Sequence, residues 1–480
     1  MKQPNILWIT TDQQRFDTLG CYGNEFVNTP NIDRLAKSGV LFEQCYSNST
    51  VCTPSRASFL TGRYPRTNRT RQNGQSIPAD EVLVTKLLAD AGYICGLAGK
   101  LHISACNPSV STAREPRIND GYTEFNWSHH PNRNWPSDDY QHWLTEKGVK
   151  VKKRKVEGMP YIEYCPDEEN HQTTWCAQKA INFIKNNADF ENPWLFSVNM
   201  FDPHHPFDPP EDYLKRYLDI LDEIPMPNYK ENELEEKTIY QQIDHERAYG
   251  IKGLFPASKM SEKDHKSLKA AYWAMVDLID KQVGRIIDVL EETGQLENTI
   301  IIFMSDHGEM LGDHGIYLKG PHFYDPAVNV PFIISCPSRI QGNRRMNTMV
   351  ELVDIAPTLL EAIGQPNYKG TQGKSLWDLL IGSNEEGPHR NDVYCEFYDD
   401  RRGDDQRRIS ANMLRTEKFK LIVYSGMEHG ELYDLEKDPN ESSNLWNDIH
   451  YQAIKMKLFK RLYDRMMETM DPLPEKIAAW

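Results

Sequence analysis

The sequence predicts an α/β protein: a large mixed, mostly parallel sheet sandwiched by helices, with a smaller C-terminal α+β subdomain. Three observations carry this. Apolar runs at 5–11, 194–200 and 298–304 have the length of strands and too little alternation to be half exposed, which suits the centre of a parallel sheet. Segments of helical periodicity lie between them, supplying the crossovers that parallel strands need. At 382–388 the composition shifts to Gly, Ser, Asn and Pro, and beyond it strand signals lead to a terminal helix.

In chain order, residues 5–11 form the first buried strand, and Asp12 stands at its C-terminal end, where open α/β sheets gather ligands. Residues 31–39 read as an amphipathic helix stopped by Gly39, and 40–42 open the next strand. The stretch from Cys52 to Gly62 reads as a helix start, with Thr53 as N-cap, Pro54 at the first helical position and Gly62 as the stop. Cys52 then precedes a helix N-terminus, whose free N–H groups and positive dipole end favour an anion and lower a thiol pKa. A helix at 82–91 and a strand at 92–99 deliver Lys100 and His102, which share a side if the segment is extended.

From 103 to 189 the pattern weakens into an aromatic, cationic loop holding Trp127, His129, His130, Arg133 and Trp135. The basic run at 150–155 reads as a solvated face or a contact for a polyanionic glycan. A helix at 174–186 precedes the strand 194–200, which ends in Asp202-Pro203-His204-His205-Pro206, too rich in Pro to continue. A polar excursion at 211–258 and a packing helix at 263–293 follow. The strand 298–304 ends in Ser305-Asp306-His307-Gly308-Glu309, and Lys319 precedes a strand at 330–335. The large domain is expected over 1–385, with inserted segments near 103–189 and 211–258. The subdomain, a small antiparallel sheet with a terminal helix, is expected over 386–480.

The 480 residues are 39% hydrophobic, enough to bury a sizeable core, and the formal net charge of -15 argues against a nucleic-acid partner. A local cationic pocket for a small anion is compatible with that charge. No run of about 18 apolar residues is present to span a membrane, and the nine cysteines are scattered and odd in number, so reduced thiols and a cytoplasmic location are expected. The oligomeric state is left open.

Asp12, Asp306 and His307 each lie just past the end of a predicted parallel strand, so the fold can bring them together. Carboxylate oxygens with an imidazole nitrogen suit a divalent cation: the oxygens favour Ca²⁺ or Mg²⁺, and His307 favours Mn²⁺ or Zn²⁺. Lys100, Lys319 and Arg56 offer donors for a tetrahedral anion. His102 and His204 are candidate proton carriers. No Ser-His-Asp order, Walker loop or dinucleotide fingerprint competes with this set.

Several motifs along nearly the whole chain resemble those of the type I, formylglycine-dependent sulfatases of the alkaline-phosphatase-like superfamily. They are Asp12-Gln13, Cys52-x-Pro54-Ser55-Arg56, Gly99-Lys100-Leu101-His102, His204-x-Pro206-Phe207, Ser305-Asp306-His307-Gly308, Lys319-Gly320-Pro321 and Glu431-Leu432-Tyr433-Asp434. The resemblance implies a sulfuric ester hydrolase that releases inorganic sulfate, with Cys52 converted to 3-oxoalanine (formylglycine) by a maturation enzyme. It implies that Asp12, the group at Cys52, Asp306 and His307 hold a divalent metal, Ca²⁺ foremost.

By the same resemblance Arg56 stabilises the aldehyde hydrate, and Lys100 and Lys319 grip the sulfate. One hydroxyl of the hydrate attacks sulfur, His204 protonates the leaving alkoxide, and His102 takes the proton of the second hydroxyl as sulfate departs. The expected substrate is a small sulfated molecule, foremost a saccharide, with Trp127, Arg133 and His205 as candidate contacts. Two departures stand out: Thr11 where many members have Asp, and His307 where many have Asn. Both resemble members that hydrolyse choline sulfate or phosphonate monoesters, so a phosphonate monoester or phosphodiester hydrolase is the alternative.

Overall fold

The computed structural model describes residues 2–107, 111, 113–131, 135, 137–165, 167–383, 387–402 and 407–478. Its first seven strands are β1 (Asn5–Thr11), β2 (Val40–Tyr46), β3 (Ile94–Gly99), β4 (Glu124–Trp127), β5 (Arg154–Val156), β6 (Met159–Tyr164) and β7 (Trp194–Asn199). The others are β8 (Thr299–Ser305), β9 (Phe332–Ser335), β10 (Arg344–Glu351), β11 (Asp392–Arg402), β12 (Arg407–Thr416), β13 (Phe419–Tyr424) and β14 (Glu431–Asp434). Eight of them form one sheet in the order β10-β2-β9-β8-β1-β7-β3-β4. β9 runs antiparallel to both neighbours, and every other pair in that sheet is parallel.

The sheet is buried on both faces because its central strands are apolar on both. In β1, Leu7 and Ile9 pack into one core layer with the helices Pro30–Ser38, Gln172–Asn186 and Glu262–Glu292. Ile6 and Trp8 pack into the other, with the helices Cys52–Thr61, Val84–Asp90 and Ile355–Ala362. Side chains that alternate across a strand make one segment serve two cores. The strands of this sheet missing from the sequence reading, β4 and β10, are its two edges. β10 alternates exposed and half-buried residues over its first half and so carries no continuous apolar run.

The C-terminal sheet is antiparallel, in the order β11-β12-β13-β14. One face, with Val393, Phe397, Met413 and Tyr433, packs on Tyr46, Val51, Met310 and Tyr324 of the larger part. The other, with Leu414, Leu421 and Leu432, is covered by Leu458 and Leu462 of the helix Gln452–Glu468. Two buried ion pairs tie the parts together: Arg390 Nε donates to Asp354 at 2.9 Å, and Arg465 reaches Glu351 at 2.7 Å. Within the basic run Lys153 pairs with Asp208 at 2.5 Å and Arg154 pairs with Glu211, while Lys150, Lys152 and Lys155 are exposed. Among the described residues, no helix is long and apolar enough to cross a membrane.

Candidate active site

The site lies at the C-terminal ends of β1, β3, β7 and β8. Cys52 opens the helix Cys52–Thr61, two residues earlier than the sequence suggested. Val51 is the N-cap, its carbonyl accepting from Ser55 N–H, while the expected cap, Thr53, has its own N–H satisfied by Asn73 Oδ1 at 2.9 Å. Gly62 ends the helix at φ 63°, as a C-terminal glycine in the left-handed region does.

Around the Cys52 sulfur stand His307 Nε2 at 3.1 Å, Lys319 Nζ at 3.2 Å, Lys100 Nζ at 3.6 Å and Asp12 Oδ1 at 3.7 Å. Asp12, Cys52, Asp306 and His307 present ligand atoms that all lie within 4.8 Å of one another. His307 is turned for such a role: its Nδ1 faces the Gly308 carbonyl at 2.9 Å, so a proton held there leaves the Nε2 lone pair aimed at the cluster. Arg56 is wholly buried, with Nε on Asp306 Oδ2 at 2.8 Å, one terminal nitrogen on Asp12 Oδ2 at 3.1 Å and the other on the Lys100 carbonyl at 2.8 Å. It fixes both carboxylates and the chain that carries Lys100.

A family profile described as Sulfatase matches residues 4–365, and one described as N-sulphoglucosamine sulphohydrolase, C-terminal, matches 312–468. The chain belongs to the sulfatase family. It is a sulfuric ester hydrolase. An arylsulfatase of Clostridium perfringens is 31% identical over 94% of this chain and 92% of its own length. An N-acetylglucosamine-6-O-sulfatase of Bacteroides thetaiotaomicron is 26% identical over 99% of this chain and 88% of its own. The structure of a phosphonate monoester hydrolase from Agrobacterium radiobacter superposes with a TM-score of 0.82 at 26% identity, covering 99% of this chain and 98% of that one.

Electrostatics in the sulfatase site favour anions. Burial and Asp12 oppose ionisation of the Cys52 thiol, yet Lys100, Lys319 and His307 together draw it down to about 5. Burial opposes the Asp12 carboxylate as well, but Lys100 and Arg56 hold it well below the usual range. Burial raises Asp306 despite Arg56 beside it. His102 and His204 are pushed well down, first by burial and then by Lys100 and Lys319 respectively, which favours the neutral imidazole in both.

These groups form the floor of a cavity of about 310 Å³. Lys100, His102, His204, His205 and Lys319 line it. His204 presents Nε2 to the site, 4.0 Å from Asp12 Oδ1, with Nδ1 on the His205 carbonyl at 2.6 Å. His205 stacks on it at 4.1 Å between ring centroids. Lys100 and His102 are not on an extended segment: Gly99 has φ 107° and His102 φ 51°, and the turn between them aims both side chains at the cavity.

Trp127, expected to contact substrate, is fully buried instead. Its indole donates to Glu115 at 3.0 Å, and its ring backs His129, which does line the cavity. Arg133 lies outside the described residues.

Several contributors went unread in the sequence. Gln13 sits at φ 65°, donates its backbone N–H to Asp306 Oδ1 at 3.1 Å, accepts from Lys319 Nζ at 2.6 Å and bonds Glu309 through its amide nitrogen. It therefore places Lys319. Gln72, Asn73, Tyr249 and the β11 residues Phe397, Tyr398 and Asp399 form the outer wall. The motif Asp12-Gln13 held a signal for Gln13, whereas nothing local marks the wall residues.

Proposed function

We propose that this sulfatase removes sulfate from a sulfated saccharide, through a formylglycine made from Cys52 by a maturation enzyme and a divalent metal, Ca²⁺ foremost. The observation that carries the reading is the convergence on one sulfur atom of two carboxylates, an oriented imidazole and two ammonium groups. An oxygen-rich set with one nitrogen fits a divalent cation, so Asp12, Asp306, His307 and the group at residue 52 would hold it. Bound there, the metal supplies Lewis-acid charge that favours an oxygen nucleophile. Conversion of Cys52 replaces a thiol with an aldehyde, whose hydrate supplies that oxygen.

The chain's own residues do the rest. Lys100 and Lys319 seat the sulfate oxygens, and their low exposure makes each charge count for more than it would in water. A sulfate anion on the two lysines offsets the repulsion that keeps His204 neutral, and so favours a proton on its Nε2 for the leaving alkoxide. His102, on the opposite flank of Lys100, accepts a proton from the hydrate. Gln72, Asn73 and Asp399 beside Tyr249 and Tyr398 offer the mixture of hydrogen-bonding groups and ring faces that suits a sugar.

A second reading, phosphonate monoester hydrolysis, is favoured by Thr11. Its hydroxyl donates to the Met304 carbonyl at 3.3 Å and stays in the sheet, so β1 sends a single carboxylate to the site. Turnover of 4-nitrophenyl sulfate against phenyl phosphonate by converted, metal-loaded enzyme separates the two, and a dominant phosphonate activity would transfer the assignment. Intact mass in the native host should be lower by about 18 Da at Cys52. Cys52→Ala should abolish turnover and leave the fold unchanged by circular dichroism. A panel of defined sulfated saccharides then names the sugar, and no activity on any of them would sink the saccharide reading.

A further inference from the structure

The loop after β3 carries a buried carboxylate that none of the roles above uses. Glu115 is 2% exposed, and its two oxygens accept the N–H of His102 at 2.9 Å and of Ile103 at 3.0 Å. The indole of Trp127 donates to it as well, at 3.0 Å. His102 is held at φ 51°, in the left-handed region that a residue with a Cβ enters only when its surroundings insist. Two successive N–H groups converging on one anion supply that insistence, as in backbone nests. His129 closes the other side of the His102 ring edge-on, at 4.4 Å between centroids.

The ring that results lines the cavity beside Lys100, and its Nδ1 has no hydrogen-bond partner among the described residues. Cys106, Glu115 and His129 lie close enough together to suggest a second metal site. Three N–H donors already occupy the Glu115 oxygens, so the anion is better accounted for as an anchor than as a metal ligand.

We infer that Glu115 is a positioning residue for His102, fixing the left-handed turn that turns the imidazole into the pocket. The inference rests on the reading of His102 as the proton carrier. The segment is turned rather than extended, with Gly99 at φ 107° and His102 at φ 51°, and in this turn both Lys100 and His102 line the cavity. Glu115→Gln keeps the size but replaces one acceptor oxygen with an NH₂ group, which cannot receive an N–H.

The experiment is a double-mutant cycle on the converted, metal-loaded enzyme, with 4-nitrophenyl sulfate as probe and the melting temperature recorded for each variant. Glu115→Gln is expected to lower kcat about 10- to 100-fold, as a small misplacement of a catalytic group does, with KM changed less than about twofold. Combined with His102→Ala it should cost nothing beyond His102→Ala alone, because a residue that acts through another has nothing left to position. Parental kcat in Glu115→Gln, or losses that multiply in the double variant, would overturn the inference. Full turnover in His102→Ala would instead overturn the reading of His102 on which it rests. Should Glu115→Gln not fold, Trp127→Phe, which removes one donor, enters the same cycle under the same criteria.

Discussion

His307 Nε2 lies 3.1 Å from the sulfur of Cys52, although the two residues are 255 positions apart. The end of β8 and the start of a buried helix thus meet at one point, and the parallel neighbour β1 adds Asp12 there. The contact makes residue 52 part of the candidate metal cluster and of the cavity lining at once.

Unconverted protein should show this electrostatically. The thiol that titrates near 5 is held there partly by Lys319. Removing that charge in Lys319→Met destabilises the thiolate, so the midpoint should rise by about 1–3 pH units. Alkylation rate against pH, followed by intact mass, measures it. An unmoved midpoint would mean that the lysine does not face the sulfur.

Metal retention should depend on His307 itself. His307→Ala is expected to weaken metal affinity more than about 100-fold, beyond what loss of an outer partner causes. Equilibrium dialysis against Ca²⁺ and Mn²⁺ with elemental analysis reads the effect. Chelation of the parent enzyme should abolish turnover, and re-addition of metal should restore it.

Gly99 is a third test. At φ 107° an added Cβ would overlap the Asn199 carbonyl on the neighbouring strand. Gly99→Ala should cost more than about 1 kcal/mol in urea unfolding and lower kcat/KM together with stability, because the strained peptide is the one that delivers Lys100. Parental values of both would show that the turn tolerates a side chain.

The junction between the two sheets gives a pH-dependent prediction. Burial favours the neutral form of Asp354, but Arg390 and His389 outweigh it and hold the carboxyl well below the usual range. That contribution is present above the unfolded value of about 3.9 and is lost as pH falls through the lower folded value. Arg390→Ala leaves the carboxylate buried without its main partner and should cost about 3–5 kcal/mol at neutral pH. The stability gap between parent and variant should widen as pH rises from about 2 to about 5. A gap independent of pH would assign the effect of Arg390 to packing.

Legibility followed burial. β1, β7 and β8 are apolar on both faces, so each reads as an uninterrupted run and its last residue marks the site. β4 and β10, at the edges, are partly solvated and carry no such run. Asp12, Cys52, Lys100, Asp306 and His307 stand out in the sequence because each sits in a short motif at a strand or helix end, whereas His204 and Lys319 lie in loops and stand out by their motifs alone. Trp127 was misread because an aromatic residue in a cationic loop suggests a ligand contact, while the loop folds the ring inward onto Glu115. Glu115, Gln72 and Phe397 act across distances that no local pattern records.

The wall formed by Phe397, Tyr398 and Asp399 belongs to β11, whereas every group around the Cys52 sulfur comes from the first 319 residues. Part of the wall is therefore carried on a stretch of chain separate from the floor. Exchange of this hairpin between relatives, grafted onto an unchanged floor, is a direct route to retuning which ester is accepted while the bond-breaking step is kept.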